Sequence, residues 1–304
     1  MAAIGQRVGA VPHHDALARG RLRASLVPDL LIEARRIVST VIAGWHGRRR
    51  RGIGESFWQF RPYVEGETLA RIDWRRSARD DHTYVRDQEW EAAHTVWLWL
   101  DESPSMLYKS APATVSKESR GLVLTLAMAE LLARSGERVG YPGLQRPITA
   151  RNGAERLARA LATVGSGALP ARPSLDDVRR HSEFVLFSDF LDPVEETLGL
   201  LQAIADRGAR AHLVEVADPA EETFPYRGRT EFEDPETGMR LTAGRAEKWA
   251  EAYQFAYMAR RETLRDHCRR LGWSYIVNRT DRLASEALVA LHTQLSGLLH
   301  EGGR

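Results

Sequence analysis

Two apolar runs end directly on an aspartate. Residues 95–100 read Thr-Val-Trp-Leu-Trp-Leu and hand over to Asp101-Glu102-Ser103-Pro104-Ser105, and Phe184-Val185-Leu186-Phe187 is followed by Ser188-Asp189. Asp101, Ser103 and Ser105 alternate, so one tight loop can aim three oxygens the same way, and Pro104 lowers the entropy of ordering it. Two unpaired carboxylates about 4 Å apart repel by roughly 4 kcal/mol at an effective dielectric near 20. A positive charge between them removes that penalty. Carboxylate and hydroxyl oxygens without thiolate or imidazole suit a hard cation, Mg²⁺ first and Mn²⁺ or Ca²⁺ after it, and argue against zinc. The competing use of Asp101 and the serines is to cap a following helix.

For both acids to serve one site, their strands must be neighbours. After residue 93 strands and helices alternate. Strands are expected at 95–100, 138–144, 183–188, 209–216 and 273–277, and helices at 116–134, 154–164, 195–206, 245–271 and 283–299. This rhythm predicts an α/β fold with a doubly wound, mostly parallel sheet, whose ligands bind beyond the carboxyl ends of the strands where strand order reverses. Continuous apolar strands fit a sheet covered on both faces. An acidic excursion at 218–242 interrupts the last third. Upstream, residues 57–64 and 83–90 are rich in aromatic and β-branched side chains and predict a small β-rich module. A helix is expected from Pro28-Asp29 to Gly44. The predicted organisation is a basic N-terminal segment with one helix at 1–54, the β module at 55–93 and the α/β domain at 94–304.

These residues carry a family resemblance. Asp101-x-Ser103-x-Ser105 resembles the first loop of the metal-ion-dependent adhesion site of von Willebrand factor A domains, and Phe187-Ser188-Asp189 resembles the loop supplying its second acid. The wider chain resembles the bacterial domain of unknown function 58 family, whose members contain such a von Willebrand factor A-like domain. The shared stretches are Arg61–Glu67, Arg71-Ile72-Asp73-Trp74 with Ser77-Ala78-Arg79, Asp101–Met106, Ser188-Asp189-Phe190, Asp218-Pro219 and Asp234–Gly238. The resemblance implies a metal site built from Asp101, Ser103, Ser105 and Asp189 plus a middle-loop hydroxyl. Ser174 stands where the family has threonine, with Thr149 a poorer counterpart, and Glu67 replaces the usual aspartate. It also implies a non-catalytic, metal-bridged protein-interaction module, acting as adaptor between a MoxR-type AAA+ ATPase and a client protein in maturation or remodelling.

The alternatives are a Mg²⁺-dependent hydrolase and an anionic-polymer binder. The first needs a positioned general acid or base, and none of the ten histidines adjoins Asp101, Ser174 or Asp189 in sequence. His13-His14-Asp15 offers only adjacent residues on a loose tail. The second rests on Arg48–Arg51, within a stretch (residues 1–60) where ten arginines face four carboxylates although the net charge of the 304-residue chain is only +2. No aromatic platform or recognition helix accompanies that run, so no specific nucleic acid is expected. Arg61, Tyr63, Asp73, Trp74 and Arg79 combine aromatic and fork-like cationic side chains, a common interface composition. The same residues could cover the sheet edge while the arginines satisfy Asp73 and Glu67. One cysteine, Cys268, fits a reducing compartment. The longest apolar run, 37–45, is too short to span a membrane, and no secretory signal is expected at the start. A cytoplasmic location is expected.

Overall fold

The computed structural model describes residues 6–8, 16–46, 57–64, 72–79, 82–88, 94–164 and 169–301. In order, the elements are β1 (Gln6–Val8), α1 (Ala16–His46), β2 (Phe57–Pro62), α2 (Trp74–Ser77), β3 (Tyr84–Gln88), β4 (Thr95–Leu100), α3 (Lys117–Arg134), β5 (Arg138–Tyr141), β6 (Gln145–Ile148), α4 (Gly153–Thr163), β7 (Glu183–Ser188), α5 (Val194–Asp206), β8 (Arg210–Ala217), α6 (Pro219–Thr223), β9 (Thr230–Glu233), β10 (Arg240–Ala243), α7 (Ala250–Arg270), β11 (Ser274–Arg279) and α8 (Ala284–Glu301). They fall into two compact units, residues 1–43 with 94–304, and residues 44–93.

The larger unit is mixed α/β around a mostly parallel sheet of order β11-β8-β7-β4-β5-β6. Only β6 is antiparallel, pairing with β5 at the edge. The strand expected over 138–144 ends at Tyr141, because the turn at Gly143, with its positive φ of 72°, folds the chain back into β6. From β4 the chain moves one way to β5 and, later, the other way through β7, β8 and β11. Strand order therefore reverses between β4 and β7, which pair directly, Leu100 opposite Phe187. β7 is buried throughout and β4 in five of six positions, as a sheet covered on both faces requires. The covering helices form two groups, α3 with α4 and α8, and α5 with α7. α3 is apolar nearly all round and buried along almost its whole length, as expected of a helix in the middle of a fold.

The first helix differs from expectation. It begins at Ala16 and carries Pro28 inside it. Its stripe Val27, Leu31, Ala34, Val38 and Val41 is buried, and that burial offsets the one backbone bond the proline removes. The helix groups with the α/β unit up to Ala43 rather than forming a segment of its own. Arg35 reaches Glu130 on α3 and Glu155 on α4, at 3.6 and 3.7 Å. The stretch 218–242 contains α6 and the antiparallel pair β9–β10, with β1 parallel to β9.

The smaller unit holds the antiparallel pair β2–β3 with the short helix α2. Asp73 caps that helix by accepting from the Arg76 backbone N–H at 3.0 Å. Trp74 is 65% exposed, Arg79 is exposed and Tyr63 half-buried. Arg61 lies in β2 opposite Val85. Glu67 and Arg48–Arg51 lie outside the described residues.

Candidate functional site

Asp101 follows β4 and Asp189 follows β7, so the reversal of strand order brings both to one crevice. Backbone pairing continues one residue past the strand, the Asp101 N–H donating to the Phe187 carbonyl at 2.8 Å. Asp101 Oδ1 accepts from the Ser103 N–H (2.8 Å), and Oδ2 from the Ser188 hydroxyl (2.6 Å). The hydroxyls of Ser103 and Ser105 lie 3.0 Å apart, and Ser105 Oγ donates to Asp189 Oδ2 at 2.7 Å. Asp101, Ser103, Ser105 and Asp189 thus form one connected cluster, and both acids are buried.

Ser174 is not part of it. Its hydroxyl donates to Asp176 at 2.8 Å on an exposed turn. The next residue, Leu175, has its carbonyl bound by Arg207 Nε (3.0 Å), just ahead of the start of β8. That is the amino edge of the parallel strands, the opposite end from the aspartates. Thr149 fares no better, because β6 runs antiparallel and ends where β5 begins, Ile148 opposite Val139. The assignment of Ser174 to the site is corrected accordingly: the chain between α4 and β7 passes the amino edge of the sheet.

A side chain that the motif does not include takes the central place. Lys117, the first residue of α3, is buried and donates from Nζ to Asp189 Oδ2 at 2.7 Å and also to Glu221 Oε1. Glu221 belongs to a capping box: its other oxygen accepts from the Asp218 N–H (2.9 Å), while Asp218 Oδ1 accepts from the Ala220 N–H (2.8 Å). Asp218 Oδ2 accepts from the Ser110 N–H (2.9 Å), so the third strand end, that of β8, is tied in as well. A lysine at a helix N-terminus faces the positive end of the macrodipole, and a buried one needs carboxylate partners. That anomaly, a lysine directly after the Ser116 cap of an apolar helix, was the available sequence signal for it.

The charges follow from this wiring. Burial, and then the facing Asp189 charge, push the Asp101 carboxyl up to about 6, against the hydrogen bonds from Ser188 and Ser103. Burial would raise Asp189 too, yet the Lys117 ammonium outweighs it and holds that carboxyl below its usual range. For Lys117 burial pulls down, and Asp189 with Glu221 overcome it and keep the ammonium charged. Burial raises Glu221 despite Lys117. The turn after Asp189 is strained, with Phe190 at a φ of 49°, and Arg260 clamps it by donating to the carbonyls of Asp189 (2.7 Å) and Phe190. Non-glycine residues hold such a conformation only where the surroundings over-determine it.

Beside the cluster opens a cavity of about 310 Å³, walled by Tyr108, Phe224, Tyr226, Phe232 and Tyr253 with Lys117 at its side. Tyr108 and Tyr226 join through their hydroxyls at 2.5 Å, and Phe224 and Phe232 stack with centroids 5.7 Å apart. The turn between β9 and β10 reaches back to the first loop, where Glu236 Oε1 accepts from the Ser105 N–H at 3.2 Å.

The donor set does not fit a divalent ion while Lys117 stands there. One oxygen of Asp189 already receives an ammonium and a hydroxyl, and the expected third hydroxyl is at the far edge. A doubly charged ion about 4 Å from the ammonium would meet a repulsion of roughly 8 kcal/mol at an effective dielectric near 20. Among the described residues, no group of three or more histidine, cysteine, aspartate or glutamate side chains is placed to hold a metal.

A family model described as "Protein of unknown function DUF58" matches residues 59–263, more than half of the chain and both the crevice and its aromatic wall. The chain belongs to the DUF58 family. Relatives in Mycobacterium tuberculosis and Mycobacterium bovis, both described as uncharacterized proteins, are 27% identical over 253 residues, covering 76% of this chain and 77% of theirs. These descriptions carry no catalytic name. Two solved structures also align: a conserved hypothetical protein, BatB, from Bacteroides thetaiotaomicron (13% identity, TM-score 0.37, 69% of this chain and 100% of that one), and an aerotolerance-related membrane protein from Bacteroides fragilis (14%, 0.40, 67% and 100%). Among the described residues, no helix of this DUF58 chain is long and apolar enough to cross a membrane.

Proposed function

We propose that this DUF58 protein is a non-catalytic protein-interaction module of von Willebrand factor A-like build, with its recognition site in the crevice at the β4/β7 reversal. The aromatic cavity next to the Asp101–Asp189 cluster carries this reading. Tyrosine and phenylalanine walls around a desolvated polar cluster are the composition of an interaction hot spot. The polar groups at its edge are committed to one another, with Asp189 and Glu221 bound to Lys117 and Asp101 to Ser188 and Ser103. This leaves them poorly placed to act as general base or nucleophile, which disfavours a hydrolase. The strand-end aspartates and the strand order support the von Willebrand factor A-like build.

From the family resemblance, the partner is a MoxR-type AAA+ ATPase and the role that of an adaptor toward a client protein. Affinity capture from native cells with wild type and Tyr226→Ala side by side tests this. Capture of the ATPase by wild type and a loss of about tenfold or more with the variant, equivalent to about 1.4 kcal/mol, supports the site. Equal capture by both moves the partner surface elsewhere. Turnover of generic phosphoester or peptide substrates with Mg²⁺, abolished by Asp189→Ala, would replace the module with an enzyme.

A further inference from the structure

We infer that Lys117 is the resident cation of the crevice, occupying by covalent attachment the position beside Asp189 that a divalent metal would take, so that the site is assembled without metal. Three observations converge. The ammonium bridges Asp189 at 2.7 Å and Glu221, and its side chain is only 1% exposed, so it is enclosed rather than lying over the surface. Lys117 reaches this position because α3 starts at the carboxyl edge of the sheet, its backbone N–H donating to the Tyr108 carbonyl at 3.2 Å. Neither hydroxyl suited to completing an octahedral oxygen set, Ser174 or Thr149, lies at that edge. A hard divalent ion needs several oxygens about itself; an ammonium needs three acceptors, and two of those are the carboxylates named.

The groups facing the ammonium come from every element around it. Asp189 follows β7, Glu221 is on α6, and Tyr108 presents its ring 5.8 Å away. Asp101 stands behind Asp189, bonded to Ser188 and Ser103. One cation therefore ties the ends of β7 and β8 together, and the loop after β4 joins them through the bond from Ser105 to Asp189, a task a metal could do only when supplied. Binding at the cavity should then be insensitive to chelator.

The full chain is titrated with Mn²⁺ and with Mg²⁺ by calorimetry, and Mn²⁺ is followed by electron paramagnetic resonance. Thermal unfolding is compared in chelator and in millimolar metal. Wild type is expected to show no saturable binding and no shift in Tm. Lys117→Ala, which leaves Asp189, Glu221, Ser103 and Ser105 around a vacated position, is expected to gain one Mn²⁺ site, to regain Tm on adding Mn²⁺, and to lose both with Asp189→Asn in the same background. Should Lys117→Ala fail to fold in chelator, folding restored by Mn²⁺ counts for the inference. Saturable binding by wild type that Asp101→Asn removes would overturn it, as would a Lys117→Ala chain that binds no Mn²⁺.

Discussion

Asp101 and Asp189 lie side by side but carry their charge on different terms, because only Asp189 touches the lysine. An acid raised to about 6 binds more protons folded than unfolded between its ordinary value and that pH. Its ionisation therefore costs stability, absent at low pH and complete above about 6, on the order of 3 kcal/mol for a shift of this size. Asp101→Asn removes this slope while retaining an oxygen for Ser103 or Ser188. The variant is expected to gain on wild type as pH rises from 5 to 7.5, read as a widening Tm difference; a constant difference would mean the acid is not displaced. Lys117 acts in the opposite sense. Lys117→Met strands Asp189 and Glu221 as unpaired buried acids and should lower stability by about 3–5 kcal/mol at neutral pH. Lys117→Met combined with Asp189→Asn should recover part of that loss in denaturant unfolding. The pair Asp101 and Asp189, with Ser103 and Ser105, was legible in the sequence because each acid terminates an apolar run. Lys117 and Glu221 were not, since 104 residues separate two groups that only the sheet order brings together.

The crevice depends on how closely α3 approaches β4. Gly121 lies one turn beyond Lys117, and a Cβ there would collide with the Leu100 side chain and come within 3.4 Å of Met106. Gly121→Ala is expected to push the helix start outward and destabilise by about 1–3 kcal/mol, with a fall in Tm as the check. Gly140 has the same role at the edge, where a Cβ would meet the Trp97 ring at 2.8 Å. The hairpin β9–β10 is held differently, by aromatic packing of Phe232 on Phe224, Tyr226 and Trp249. Helix periodicity located α3, α5 and α8 to within a residue or two. It placed the start of α1 too late, because Pro28 reads as a beginning when the tertiary burial of Val27 and Leu31 is unseen.

Across the whole molecule, the best protected backbone should be that of β4, β7, β8 and α3, which are buried on all sides, and the least protected that of β10, whose Arg240, Leu241 and Thr242 are exposed. Native-state hydrogen exchange is expected to rank them so; fast exchange in β7 would contradict a sheet covered on both faces. The buried Glu215 adds to this rigidity, binding Arg260 and Arg261 at 3.0 and 2.9 Å and Tyr257 at 3.0 Å. Arg260 extends from that cluster to the strained turn after Asp189. Local pattern alone determined the alternation of strands and helices, the parallel sheet and the two acids at its carboxyl edge, because hydrophobic periodicity and strand ends are properties of neighbouring residues. Which hydroxyl stays away and which cation pairs with Asp189 were decided by the fold. Both depend on the direction in which each connection crosses the sheet, and that is fixed only when distant segments pack.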